Sequence, residues 1–180
     1  MSGFKKNRTV PLIVTLLCLI ALAAPGVCFG AGLGIDPGEI NVKNVPLGKK
    51  IAVSALGGEG MKLKIKNKGS EACNYTIDIL PSAKTTVPFG AGYVDIPDIS
   101  WISPESKEVR IPGNSSKDVE LYIEVPGKKE YAGKSYQAVI EVKSKGKENK
   151  PGVNFVLACQ MKIRFTTVNL DAGEAKHEHK

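Results

Sequence analysis

Trp101-Ile102-Ser103-Pro104, Val109-Arg110-Ile111-Pro112-Gly113-Asn114-Ser115, Asp118-Val119-Glu120-Leu121-Tyr122-Ile123-Glu124-Val125-Pro126-Gly127 and Tyr131-Ala132-Gly133-Lys134-Ser135-Tyr136 follow one another between Trp101 and Lys143. Val119, Leu121, Ile123 and Val125 recur every second residue, with polar or amphipathic neighbours between them. A period of two puts one face on a core and the other in water, as in a half-buried antiparallel strand. Pro126-Gly127 ends the run, because proline cannot donate to a ladder and glycine accepts turn dihedrals. Tyr136, Ala138, Ile140 and Val142 then share a face of a second strand, reached through a corner at Tyr131 to Lys134.

The same period extends outward. Ile40, Val42 and Val45 form a weak first strand, and Ile51, Val53 and Ala55 a short continuation. Met61, Leu63 and Ile65 point inward on one strand, and Cys73, Tyr75, Ile77 and Ile79 on the next, with a turn at Lys68-Gly69-Ser70. Residues 81–100 are broken by Pro88, Gly90, Gly92 and Pro97, leaving Tyr93 to Ile96 as a short edge strand. Val153, Phe155, Leu157, Cys159, Met161, Ile163 and Phe165 line one face of a long last strand, apolar on both sides near its middle and so central in its sheet. No helical periodicity follows residue 30. Seven to eight short antiparallel strands with turn signals between them predict an all-β sandwich.

Residues 1–30 have the tripartite pattern of a cleaved signal peptide: Lys5, Lys6 and Arg8, then an apolar run from Val10 to Ala24, then small residues. The apolar run is short for a membrane span, so no transmembrane span is expected in the mature chain. Residues 31–168 then form one domain and residues 169–180 a disordered charged tail. The chain carries 25 Lys+Arg and 18 Asp+Glu. Removing the leader takes three of the basic residues and leaves a net charge of +4. The lysines are scattered over strand faces and turns without interleaved aromatics, which excludes nucleic-acid binding and describes a solvated surface. Adhesion to an acidic polymer such as a cell-wall glycan is the sharper alternative.

The two histidines both lie in His177-Glu178-His179, at the charged end of the chain, with nothing to fix a second shell around a metal. Their position removes Ser-His-Asp and Cys-His catalysis and most zinc sites. Glu105 and Glu108 are paired carboxylates in a turn-rich segment without sign of burial. Gly57-Gly58-Glu59-Gly60 and Gly90-Ala91-Gly92 precede no helix and are not phosphate loops. Asn74-Tyr75-Thr76 and Asn114-Ser115-Ser116 match glycosylation acceptors. No enzyme and no cofactor are implied. Trp101 is a core plug or, alternatively, a carbohydrate-stacking platform.

On Trp101 to Pro104, Val109-x-Ile111, Asn114-Ser115, the run from Val119 to Pro126, and Tyr131-x-Gly133-Lys134-x-Tyr136, the chain resembles a broad group of bacterial exported immunoglobulin-like domains. These include domains associated with NPCBM modules and those of WxL-interacting cell-surface proteins. The resemblance covers roughly residues 35–168. It implies an immunoglobulin-like sandwich on the cell exterior, periplasmic or at the cell surface. It also implies assembly or surface attachment with another exported or surface protein. Trp101, Gly133 and Tyr136 become structural anchors, with the Tyr136 hydroxyl bonding back to nearby backbone.

Cys73 and Cys159 are the two cysteines beyond the leader. An even pair in an exported chain argues for a disulfide. In an immunoglobulin-like order their strands lie two apart, ~9.6 Å, beyond disulfide reach, which argues for two buried thiols. Two functions remain: an exported non-enzymatic binding or structural module, accessory to a cell-surface or pilus-like assembly, and a carbohydrate-binding accessory protein of the envelope.

Overall fold

The computed structural model describes residues 32–57, 59–145 and 156–170. The expected leader, the turn from 146 to 150, the strand start at Val153, and the tail with His177-Glu178-His179 lie outside or almost wholly outside the described residues.

Among the described residues, twelve short strands form two packed layers. In the first layer β1 (Leu33–Asp36), β4 (Leu63–Asn67) and β9 (Ser115–Val119) make one ladder. There β3 (Lys49–Ala52), β10 (Leu121–Val125) and β7 (Ile102–Pro104) make another. Only Glu120 separates β9 from β10, so the ladders run on into each other. The second layer has the order β2 (Glu39–Val45), β12 (Ala158–Thr167), β11 (Ser135–Ser144), β5 (Cys73–Pro81), β8 (Glu108–Ile111). A two-residue strand, β6 (Val94–Asp95), also pairs with β11. Inward residues of the two layers interlock: Leu63, Ile65, Leu121 and Ile123 from the first, Ile40, Ile77, Ile140, Ile163 and Phe165 from the second. This is the expected sandwich.

Twelve segments are described where seven or eight are expected, because runs break as they bend or change layer. The first crosses between layers at Pro37-Gly38, so β1 pairs with β4 and β2 with β12. The run from Ile102 to Ile111 likewise gives β7 to the first layer and β8 to the second. Crossing also explains a departure from all-antiparallel pairing: β2 runs parallel to β12, and β6 parallel to β11. The expected strand through Val53 and Ala55 is a short helix, α1 (Val53–Gly57). The Glu120 carboxylate accepts from Ser54 N–H at 3.3 Å and Ser54 Oγ at 2.6 Å, which holds the chain away from the ladder where β9 gives way to β10.

The centre of the second layer is β11, not the last strand. β11 pairs with β12 on one side and with β5 and β6 on the other. Tyr136, Ala138, Ile140 and Val142 face the core, but Gln137 and Val139 on the opposite face are also fully buried. The irregular segment 82–96 covers them. Gln137 Nε2 donates to Ser82 Oγ and to Pro88 O, both at 3.2 Å, while Gly90 N–H donates to Gln137 Oε1 at 3.0 Å. The Asp95 carboxylate accepts from Ser82 N–H and Ala83 N–H and closes the strap on itself.

Trp101 is buried at 4 % exposure. Its ring meets Tyr131 at 4.7 Å and Tyr136 at 5.3 Å, both edge-on, and Tyr136 continues to Phe165 at 5.5 Å. Offset and edge-on pairs favour the ring quadrupoles. Burial, then the neighbouring Tyr131 and Glu130, push the Tyr136 phenol above its ordinary pKa. No hydrogen bond from the Tyr136 hydroxyl to backbone is seen among the described residues, and its ring packs against Trp101 and Phe165. Gly133 takes φ 64, a conformation that costs other residues ~1–2 kcal/mol, and donates to Val168 O at 2.9 Å. Truncating a buried aromatic costs ~3–5 kcal/mol. Trp101→Ala should therefore lower the thermal midpoint by many degrees, whereas Tyr136→Phe should leave it nearly unchanged. A Trp101→Ala chain that melts with the parent would show that the ring is not holding the layers.

Candidate functional site

A sheet is open wherever a strand lacks a neighbour, and the phase of its ladder says which groups are left over. Ser144 N–H donates to Leu157 O at 2.8 Å, so odd-numbered residues of β12 turn their backbone toward β11. Even-numbered residues turn away. Val168 N–H confirms the phase by donating to Val45 O on the far side. β2 covers that far side only from Lys162 onward. Ala158 and Gln160 therefore present N–H and C=O groups with no backbone partner among the described residues.

β2 stops there because the chain crosses layers just before Glu39. Glu39 is fastened at the point of departure: Arg164 Nη1 meets Glu39 Oε1 at 2.7 Å, and Lys162 Nζ meets Oε2 at 3.1 Å. Arg164 also donates to Gln137 Oε1 at 2.8 Å and lies over the Tyr93 ring at 5.2 Å. A Cβ on Gly90 would fall 2.6 Å from that guanidinium, so a larger residue there would make the Arg164 head shift. Every polar group in this cluster is partnered, so it fixes the strap and β2 and leaves nothing poised for chemistry.

The open half of β12 is apolar or neutral. Val156 is 60 % exposed, Ala158 and Gln160 are exposed, and Leu157 and Cys159 are half-buried. Under the edge lies β1, with Leu33 and Ile35 packed against the core and Leu33 O 3.5 Å from Cys159 Sγ. On the outer face a polar row leads away from it: Gln160 Nε2 donates to Glu141 Oε1 at 2.8 Å, and Glu141 bonds Lys143. The edge strand β8, at the other side of the same layer, is different. Ile77 N–H donates to Lys107 O, so Glu108 and Arg110 direct their backbone outward there. Both carry exposed charges, and Glu108 is ion-paired with Lys145 at 2.6 Å. Charges on an edge discourage pairing with another chain.

The residues singled out from the sequence are not brought together. Cys73 and Cys159 are free thiols on β5 and β12, with β11 between them. Cys159 faces Val142, which faces Ile77, four residues from Cys73. Strand spacings put the two roughly 17 Å apart, far beyond a disulfide. Glu105 and Glu108 are exposed, and Glu108 is neutralised by Lys145. Asn74 is exposed on β5, and Asn114 is exposed in the β8–β9 turn with φ 53. No group of three metal-ligating side chains is present among the described residues. Lys64 and Lys66 meet Asp118 and Asp36, so β4 carries no unbalanced basic stripe. A cleft of about 350 Å³ beside the β4–β5 turn is lined by Lys66, Asn67, Lys68 and Asn114 to Ser116. Its buried Asn67 amide is committed to the carbonyls of Glu71, Ile111 and Pro112. Trp101 is covered by Tyr131 and Tyr136, Lys50 lies over Tyr122 and Arg164 over Tyr93, while Phe89 is exposed.

No family profile matches the chain, and no curated protein sequence matches it. Solved structures do. A chain from the Salmonella enterica SafA pilin–SafB chaperone complex aligns with 77 % of this chain and 55 % of its own length, at 12 % identity and a TM-score of 0.51. The Escherichia coli chaperone DraB aligns with 76 % of this chain and 56 % of its own length, at 11 % identity and a TM-score of 0.50. This chain thus spans about half the length of those chaperones. A PapD-like domain of human CEP192 aligns over 94 % of this chain and 96 % of its own length, at 11 % identity and a TM-score of 0.49. The fold is an immunoglobulin-like β-sandwich. At such identities the likeness is one of fold. No helix among the described residues is long and apolar enough to cross a membrane.

The Lys143 hydrogen bond, opposed by burial and aided by Gln160, holds the Glu141 carboxyl below its ordinary 4.5. A lowered folded-state pKa adds stability above the ordinary value, and that stability is lost as pH falls through the folded one. Glu141→Gln should therefore melt below the parent at neutral pH. The gap between the two melting temperatures should close once the pH drops below 4.5. A gap constant from neutral to acid pH would show that the carboxylate is not coupled to Lys143.

Proposed function

We propose that this chain is an exported, non-enzymatic binding module that takes an extended segment of another exported protein along the open half of β12. The reading makes it an accessory to a cell-surface or pilus-like assembly. One observation carries it: among the described residues, Ala158 and Gln160 offer unpaired backbone groups on an edge without charges, over an apolar floor of Leu33 and Ile35. Strand addition draws affinity from main-chain hydrogen bonds and specificity from alternate side chains. The incoming segment would carry apolar residues at every second position, to meet Leu157, Cys159 and β1, and polar ones toward Gln160. Two of the structures of like fold are named as chaperones, one of them in complex with a pilin, in keeping with a protein partner. The leader-like residues 1–30 support export.

Short extended peptides with alternating apolar residues, displayed as a library, provide the probe. Proline at position 158 or 160 removes an outward N–H and puts a ring in the path of the incoming strand, without taking a bond from the internal ladder. Ala158→Pro and Gln160→Pro should each weaken selected binders about tenfold or more, while Arg110→Pro on the outer edge of β8 should not. Binders indifferent to both edge prolines would refute strand addition, and a glycan that binds with the edge blocked would favour the carbohydrate reading.

A further inference from the structure

Gln160 and Glu141 stand opposite each other on the outer face of β12 and β11. Glu141 is 8 % exposed, and its carboxylate is bonded to Lys143 and, at 2.8 Å, to Gln160 Nε2. An ionised carboxylate can only accept, so the Gln160 amide must turn its NH2 to Glu141. The two ends of an amide point apart. Glu141 lies on the β11 side, so Gln160 Oε1 is turned away from β11, toward the side where β12 is open. No donor among the described residues meets that oxygen.

A strand laid beside β12, in either direction, sets one side chain directly opposite Gln160 on this outer face, about 5 Å away. It would run along Val156 to Gln160 and stop where Glu39 begins, beside Lys162. The ground ahead of β2 is open: a Cβ on Gly38 would meet nothing within 4 Å.

We propose that Gln160 is the specificity-determining residue of this edge. It selects an extended segment whose residue opposite it carries a hydrogen-bond donor, such as a hydroxyl, an amide or an ammonium, and it rejects a carboxylate there. The proposal rests on the edge being a strand acceptor and goes further by naming what the segment must carry. Asp or Glu opposite Gln160 would set acceptor against acceptor. Turning the amide to meet it would take a hydrogen bond from the buried Glu141. Lys162, the next outward residue of β12, already faces Glu39 at 3.1 Å, so its charge is met. Ala158 offers only a methyl and makes no such demand. The segment thus has one selective polar position and one permissive one, two residues apart.

The probe is a display library of extended peptides in which apolar residues alternate with randomised ones. Binders of the full-length chain should carry a donor at one randomised position, with almost no Asp or Glu there. A binder remade with Glu at that position should weaken about tenfold or more, and with Glu at the other polar position about threefold or less. O-methylserine in place of the donor is neutral but cannot donate, and should weaken binding about fivefold or more. Glu141→Gln, read below its own melting temperature, is the deciding variant. The new amide can donate as well as accept, so the Gln160 amide is free to turn. Both losses should then shrink to about threefold or less, while the original binder keeps its affinity within about twofold. Three results would overturn the assignment: donor and Glu peptides bound alike at both polar positions, a loss with Glu but none with O-methylserine, or losses that Glu141→Gln leaves as large. If Ala158→Pro still abolishes binding in those cases, strand addition stands and only the role of Gln160 falls. Binders that ignore Ala158→Pro, or a library that yields none, would sink both.

Discussion

β2 is shorter than the strand it protects. It pairs with β12 from Lys162 to Thr167 and has nothing to offer Ala158 or Gln160, because the chain arrives from the other layer at Pro37-Gly38. Backbone polar groups must find a partner somewhere. Among the described residues no backbone group supplies one to Ala158 or Gln160. Glu39, the first residue of β2 beside β12, is clamped there by Lys162 and Arg164. A longer β2 would make a better-closed sandwich and remove the one neutral edge in the second layer. At β8, by contrast, the outer edge of the same layer carries the charges of Glu108 and Arg110.

Around that edge the structure is stiff. β11 is paired on both sides and buried on both faces, the outer one under the strap that Gln137 and Asp95 secure. No buried side-chain polar atom among the described residues lacks a hydrogen bond. A fully satisfied network of this kind favours one arrangement of the strap over others. The aromatic row from Tyr131 through Trp101 and Tyr136 to Phe165 ties the corner before β11 to the core. An acceptor edge benefits from such rigidity, since an ordered strand loses little freedom when a second is laid beside it.

Much of the fold was legible because period-two alternation reports burial directly. Val119 to Val125, Tyr136 to Val142 and Met161 to Phe165 could be assigned a face from their neighbours alone. Where alternation misled, a single side chain had intervened: Val53 and Ala55 alternate like a strand, but Glu120, distant in sequence, holds Ser54 and turns the segment into α1. The strap was illegible because its burial depends on Gln137, a polar residue on a strand face that the pattern assigns to water. The second buried face of β11 was hidden for the same reason, since a loop covers it. The open edge was hidden in a different way. Alternation shows which face a side chain takes but not which neighbour a backbone has, so the half-length of β2 emerged only from the register. One signal was present: Val156-Leu157-Ala158 lacks the charges that mark Glu108 and Arg110.

Amide exchange at β12 tests the central claim most directly. In a dilute, unbound chain, the N–H groups of Ala158 and Gln160 should exchange rapidly, while those of Lys162 and Arg164, beside β2, are slow. Adding a selected extended peptide should slow Ala158 and Gln160 and leave Lys162 and Arg164 as they were. Ala158 and Gln160 amides already slow in the dilute, unbound chain, or still fast in the saturated complex, would contradict the account.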